Sequence, residues 1–201
     1  MGRVKGNALT PRADKGRNLG ESGRSFGKLY INGTVVEASV GAMSPAAAVA
    51  AASEKYDVTV ERTGNIIKTT LYLEMKALKS STTENDIIGD TGASHIGQIT
   101  TAVNGVIFKG QVSCAVVPTT GVNDIDIYSA PQGTGAFDAL VTGLTETQLV
   151  DSGGAYAIGT VKPFTALPAA NHYLYLACGA GGSAGTYGAG KIIIEMWGLA
   201  A

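Results

Sequence analysis

Three short stretches of this 201-residue chain hold residue types at spacings that could do chemistry. The first is Asp90-Thr91-Gly92-Ala93, preceded by Ile87-Ile88. A carboxylate on such a glycine-containing loop can share a proton with a second carboxylate and so activate water for hydrolysis. The tripeptide occurs once, so the second carboxylate would have to come from a homodimeric partner. Gly89 also stands where that chemistry usually has an apolar residue. The competing reading is a turn between strands.

The second stretch, Gly185 to Lys191, spells G-T-Y-G-A-G-K and fits the first seven positions of a phosphate-binding loop. The fit ends at Ile192, where a Ser or Thr hydroxyl would hold magnesium, and the residues beyond run with period two rather than opening a helix. The third, Gly179-Ala180-Gly181-Gly182-Ser183-Ala184, imitates a dinucleotide fingerprint after a strand, again with no helix to follow. Both are better read as one glycine-rich hairpin loop. His95 and His172 are the only histidines and Cys114 and Cys178 the only cysteines, none at zinc-ligand spacing. Both cysteines fall in the apolar phase of predicted strands and read as inert core thiols rather than a disulfide. Asn32-Gly33-Thr34 matches a glycosylation acceptor but reads as a turn. No catalytic, cofactor-binding or metal-binding residue is expected, and no cofactor.

The elements that would position these residues are strands. In Ile67 to Ala77, Ile67, Thr69, Leu71, Leu73 and Met75 alternate with Lys68, Thr70, Tyr72, Glu74 and Lys76, which predicts a long half-buried strand. Val106, Phe108, Gly110, Val112, Cys114 and Val116 form a second core-facing set, with Lys109, Gln111 and Ser113 opposite. Further alternations place Ile125 and Ile127, then His172, Leu174, Leu176 and Cys178, then Ile192, Ile194 and Met196, on core faces. Weaker strand patterns cover Leu29 to Ala38, Tyr56 to Arg62 and Tyr156 to Lys162. Gly- and Asn-rich turns separate them. Pro45 to Ala52 has helix propensity, with Ser44 as a candidate N-cap. Thr134 to Leu149, interrupted by Gly143, predicts one short helix or an ordered loop. Seven or eight strands so spaced indicate an all-β fold, an antiparallel β-sandwich or jelly roll with an extended N-terminal arm.

Charge marks that arm. The chain has 15 Lys plus Arg against 16 Asp plus Glu, only 15% charged residues where about 25% is usual. Cut after Lys28, it divides into parts of opposite sign. Residues 1–28 hold seven cations against Asp14 and Glu21, a net +5, and the remainder holds eight cations against fourteen anions, a net -6. Residues 1–28 lack strand or helix periodicity and enough apolar bulk to offset their ordering entropy. They read as a basic arm ordered against a partner, and residues 29–201 as the sandwich body. Gly-Arg pairs recur at Gly2-Arg3, Gly16-Arg17 and Gly23-Arg24, which would suit phosphates. Phe26 is the arm's only aromatic for stacking a base, so an acidic protein surface is the favoured partner and nucleic acid is not expected. No run reaches the roughly 18 apolar residues of a membrane helix, so no membrane partner is expected either.

The run Ala166 to Gly198, ALPAANHYLYLACGAGGSAGTYGAGKIIIEMWG, resembles the closing hairpin of small structural proteins of tailed bacteriophages that decorate or cement the capsid. The resemblance covers about a third of the chain. It implies a protein made in the host cytoplasm that binds the outer surface of the virion, with the major capsid protein and its own copies as partners and no small-molecule substrate. A trimer is the expected homo-oligomer. Arg3, Lys5, Arg12, Lys15, Arg17 and Arg24 would make polar contacts to coat subunits, with Leu9, Leu19 and Phe26 as apolar anchors. Such a protein works by binding and is not an enzyme. One alternative is a tail-associated or receptor-binding sandwich presenting Tyr173, Tyr175, Tyr187 and Trp197 on one outer face. Another, on the strength of Asp90, is a dimeric aspartic protease.

Overall fold

The computed structural model describes residues 29–31, 34–36, 43–179 and 184–201. The chain divides into two units between Ala38 and Ser39. In the first, β1 (Leu29–Ile31) and β2 (Thr34–Val36) pair antiparallel with Leu29 opposite Val36. The strand pattern expected over Leu29 to Ala38 is thus two short strands on either side of the Asn32-Gly33 pair expected as a turn.

The second unit opens with α1 (Ala47–Ala52), whose only buried residue is Val49. Its N-cap is Ala46, without a side-chain cap, rather than the expected Ser44. Ala46 serves because its backbone N–H is tied instead to the His95 carbonyl at 2.9 Å. The remaining elements are β3 (Tyr56–Thr63), β4 (Ile66–Glu74), β5 (Lys79–Ser80), β6 (Gly97–Gln98), α2 (Thr101–Asn104), β7 (Val106–Thr119), β8 (Ile125–Ala130), β9 (Thr147–Val150), β10 (Val161–Pro163), β11 (Tyr173–Cys178), β12 (Gly185–Thr186) and β13 (Ala189–Leu199). They form a five-stranded sheet in the order β10-β7-β13-β4-β3, a four-stranded sheet in the order β6-β11-β8-β9, and a β12-β5 ribbon, every pairing antiparallel.

The expected all-β sandwich is what the chain forms. On β4, Ile67, Thr69, Leu71 and Leu73 are buried while the residues between them are half-buried. β13 does the same with Ile192, Ile194 and Met196. Leu71, Leu73, Ile192, Ile194 and Met196 meet Ile125, Ile127, Leu174, Leu176 and Cys178 from the four-stranded sheet in one continuous apolar core. Two sheets whose apolar faces alternate with polar ones have no other way to remove those faces from water.

The four-stranded sheet is buried on its other side as well, since every residue of β8 is buried. There Tyr128, Ala130, Tyr175 and Ala177 pack with Ile87 and Val141 from covering loops in a second, smaller core. Within the segment expected as one helix or loop, Val141–Leu144 forms a single 3-10 turn, ended by Thr145 in the left-handed region at φ 53°, and β9 follows. Of the expected strand Tyr156 to Lys162 only β10 forms, and it includes Pro163. Tyr156 anchors the preceding loop as a buried core residue.

Two expectations need correction. The alternation on β7 does not run in one phase. Lys109 lies opposite Trp197 but Ile107 lies opposite Gly198, so Phe108 is the extra residue of a β-bulge. Ile107 is buried, whereas Val106 and Phe108, expected in the core, are 59% and 45% exposed. A second shift leaves Ala115 unpaired between Cys114 and Val116, so Val116 also leaves the core phase and is only half-buried. The run Ala166 to Gly198 is also no hairpin. β11 and β13 lie in different sheets, β11 between β6 and β8, and β13 between β4 and β7. Each carries an apolar inward face, and the two faces meet across the core instead of edge to edge.

Candidate functional site

The Asp90 tripeptide sits in a turn. Ile87 and Ile88 before it are buried, and the Ile88 N–H donates to the Leu176 carbonyl at 2.8 Å. Gly92 occupies the left-handed region at φ 75°, and the Ser94 hydroxyl donates to its carbonyl at 3.0 Å. Gly89 has no room for a side chain, because a Cβ there would lie 2.1 Å from Ser94 Oγ. The Asp90 carboxylate is paired with the Lys79 ammonium across the bridge that joins Lys79 to Gly89. Within the chain, its partner is thus a cation.

The glycine run at 185–191 is also structural. Gly185 and Thr186 pair with Ser80 and Lys79, and a strand, β13, follows. The Tyr187 ring is buried and its hydroxyl donates to the Val122 carbonyl at 2.6 Å. Lys191 reaches the Glu74 carboxylate at 3.5 Å instead of a phosphate. Without a helix N-terminus the loop lacks the aligned N–H groups that hold phosphate. Residues 180–183 of the other glycine run lie outside the described residues.

Cys114 and Cys178 are both buried and free, as expected. Burial pushes the Cys178 thiol up to about 11 and raises that of Cys114. His95 leans against the Tyr173 ring at 4.8 Å between centroids, and burial lowers its pKa. Among the described residues no three His, Cys, Asp or Glu side chains converge as a metal site. The four aromatics proposed as a platform do not share a face. Tyr175 and Tyr187 are buried, Tyr173 contacts His95, and Trp197 lies on the outer side of the five-stranded sheet.

The arm residues Arg3, Lys5, Leu9, Arg12, Lys15, Arg17, Leu19, Arg24 and Phe26 lie outside the described residues. What the structure does place is the body's charge. Residues 80–108 and 110–161 contain no Lys or Arg, yet they carry Glu84, Asp86, Asp90, Asp124, Asp126, Asp138, Glu146 and Asp151. Apart from Asp90, these acids belong to β8, to the flanks of β8 and β9, and to the loops over the outer side of the four-stranded sheet. Asp126, Glu146, Asp151 and Glu84 all act on the Tyr128 hydroxyl, whose pKa is raised first by burial and then by their combined field. Asp126 is itself buried and accepts the Ser152 N–H at 2.7 Å and Gln148 Nε2 at 2.8 Å. Asp124 Oδ1 accepts the Gly154 N–H at 3.2 Å. Gly179 closes this cluster, since a Cβ there would lie 2.6 Å from Asp124 Oδ1 and 2.9 Å from Asp126 Oδ1.

The cations lie on the other sheet and its connections, where several pair with carboxylates. Lys68 pairs with Glu195 at 2.6 Å, Lys55 with Asp57 at 3.0 Å and Lys76 with Glu54 at 2.9 Å. The net negative charge of the body therefore has a side. The absence of cations from residues 110–161 is visible in the sequence, but only the topology shows that the acids of this stretch belong to the four-stranded sheet and its covering loops. Reading single strands also missed the row Lys109, Trp197, Lys68. These residues come from three strands, and only register makes them neighbours.

No family model, curated protein or solved structure matches this chain.

Proposed function

We propose that this protein is a virion structural protein that binds the outer surface of a tailed-phage capsid and bridges coat subunits through its basic arm and its sandwich body. The observation that carries this reading is the division of charge. A segment of net +5 precedes a body of net -6 in which Glu84, Asp86, Asp124, Asp126, Asp138, Glu146 and Asp151 belong to one sheet and its covering loops. Opposite charges kept on separate parts of a chain favour contacts between molecules, which is what a bridging protein needs. Many copies, each touching several coat subunits, would add weak contacts through multivalency and let the shell resist internal pressure.

The test compares full-length protein with a version lacking residues 1–28, by co-sedimentation with empty capsids across a salt series. The truncated protein should keep its fold and bind capsids more weakly. Rising salt should release the full-length protein more steeply, because screening acts on exposed charges. Equal capsid binding by both proteins at every salt concentration would overturn the role of the arm.

A further inference from the structure

We propose that the outer face of the five-stranded sheet is a contact surface for a second copy of this chain. The proposal does not depend on capsid binding, and it sets a two-fold pair in place of the trimer expected from the resemblance. β13 is the central strand of this sheet, and Ile193, Glu195, Trp197 and Leu199 run along its outward side. Leu199 is in register with Ile66 on one flank and Val106 on the other. The three form an apolar row across three strands, exposed to 48%, 45% and 59% respectively. The bulge adds Phe108, 45% exposed, beside them. Water contact at four adjacent large apolar side chains is unfavourable unless a partner covers them.

Charge selects the partner. Next to the apolar row the Trp197 ring is flanked by Lys68 and Lys109, whose Nζ atoms lie 5.5 and 4.5 Å from its centroid. Glu195 is bonded to Lys68 at 2.6 Å and to Gln111 Nε2 at 2.7 Å, and Glu74 faces Lys191 at 3.5 Å. The face thus neutralises itself and offers a highly charged partner little. The acidic side of the body would meet a like-charged copy of itself. The same neutral, partly apolar face on a second molecule brings no repulsion and covers the exposed row, as an isologous contact requires.

The area is sufficient. Five strands about 4.8 Å apart, from about 10 Å (β10) to about 45 Å (β7) long, present roughly 700 Å². A standard interface buries about 800 Å² per partner. An aromatic and apolar centre with paired charges around it is also the usual anatomy of such interfaces.

Trp197 is the only tryptophan in the chain and lies within the proposed contact, so it reports on it directly. Full-length protein, without capsids, is followed through a dilution series by sedimentation and by Trp197 emission with iodide as quencher. The expected result is a doubling of mass with concentration, accompanied by a blue shift and loss of quenching. Leu199→Lys and Val106→Asp alter exposed positions and should leave circular dichroism unchanged while the mass stays monomeric and Trp197 stays quenchable. Asp138→Asn on the acidic side should dimerise as the parent does. The proposal is overturned by a monomer at every concentration, an assembly in which Trp197 remains fully quenchable, a trimer, or a dimer lost on removing residues 1–38 but kept by Leu199→Lys. Protection of Trp197 only when capsids are added would do the same and assign the face to coat protein. Capsid binding is measured separately, so either idea can fail without the other.

Discussion

The side-chain amide of Asn104 donates to Thr69 Oγ1 at 3.0 Å, and both residues are fully buried. The same side chain accepts the Thr100 N–H at 2.9 Å through its Oδ1. Asn104 thereby fastens α2 to the core face of β4, where Thr69 occupies a position otherwise filled by aliphatic residues. Thr69→Val keeps the shape and removes the acceptor. It leaves a buried amide N–H unsatisfied and should cost about 1 to 3 kcal/mol. Urea denaturation should show a lower midpoint with an unchanged slope.

The bulge on β7 makes a paired prediction. Ile107→Ala should destabilise by about 2 to 3 kcal/mol, because it empties a buried site at the end of the core. Phe108→Ala removes a larger side chain but should cost less than about 1 kcal/mol, since that ring is 45% exposed. Thermal unfolding of the two variants side by side decides the phase of the strand. The reverse order of costs would mean that Phe108 faces the core after all.

Asp126 sets a pH dependence. Burial raises its pKa above the ordinary carboxylate value, against the opposing effect of its hydrogen bonds to Ser152 and Gln148. A group whose folded pKa is raised favours the fold while protonated, and this contribution is lost as pH rises through the folded pKa. Its stabilising effect is therefore present on the acid side of the ordinary carboxylate pKa, about 3.9, and fades above it. The difference in unfolding free energy between the parent protein and Asp126→Asn should move against the parent as pH is raised from about 4 to 7. A difference that stays flat across that window would show that Asp126 titrates normally.

The cysteines predict silence. Cys114 and Cys178 are buried, and burial holds the Cys178 thiol up to about 11, so thiolate is scarce at neutral pH. Native protein should react with a maleimide only at the rate of unfolding, and two equivalents should react at once in denaturant. Rapid labelling of one thiol in the native state would place it at an accessible surface.

Much of the fold was legible because it depends on alternation. On β4 the outward Lys68, Thr70 and Glu74 alternate with the inward Ile67, Leu71 and Leu73, and on β13 Lys191 and Glu195 lie opposite the inward Ile192, Ile194 and Met196, although Ile193 and Trp197 interrupt the alternation. The bulge at Phe108 was hidden because Val106, Ile107 and Phe108 are all apolar, so either phase fits the pattern. β8 and β11 were legible as strands, but their second buried face was not, because nothing local says that Tyr128 and Tyr175 will be roofed by loops from elsewhere. The hairpin reading of residues 166–198 failed for a related reason. Two strands close in sequence are usually neighbours, and here each finds its partners from earlier in the chain. Of the candidate surfaces, the basic segment and the acidic excess could be counted directly. The side on which the acids gather and the row around Trp197 both needed strand order.

The central place of β13 in its sheet has a consequence for how the body is made. Ile66 on β4 and Val106 on β7 both wait for Leu199, so no pairing joins the two flanks of the five-stranded sheet until β13 has been synthesised. Such contacts close long loops, and chains dominated by them fold on the order of milliseconds to seconds. During synthesis β3 and β4 can meet as a hairpin, but the sandwich has to wait. Its charged and apolar surfaces therefore come into register together, only after the ribosome has supplied that strand.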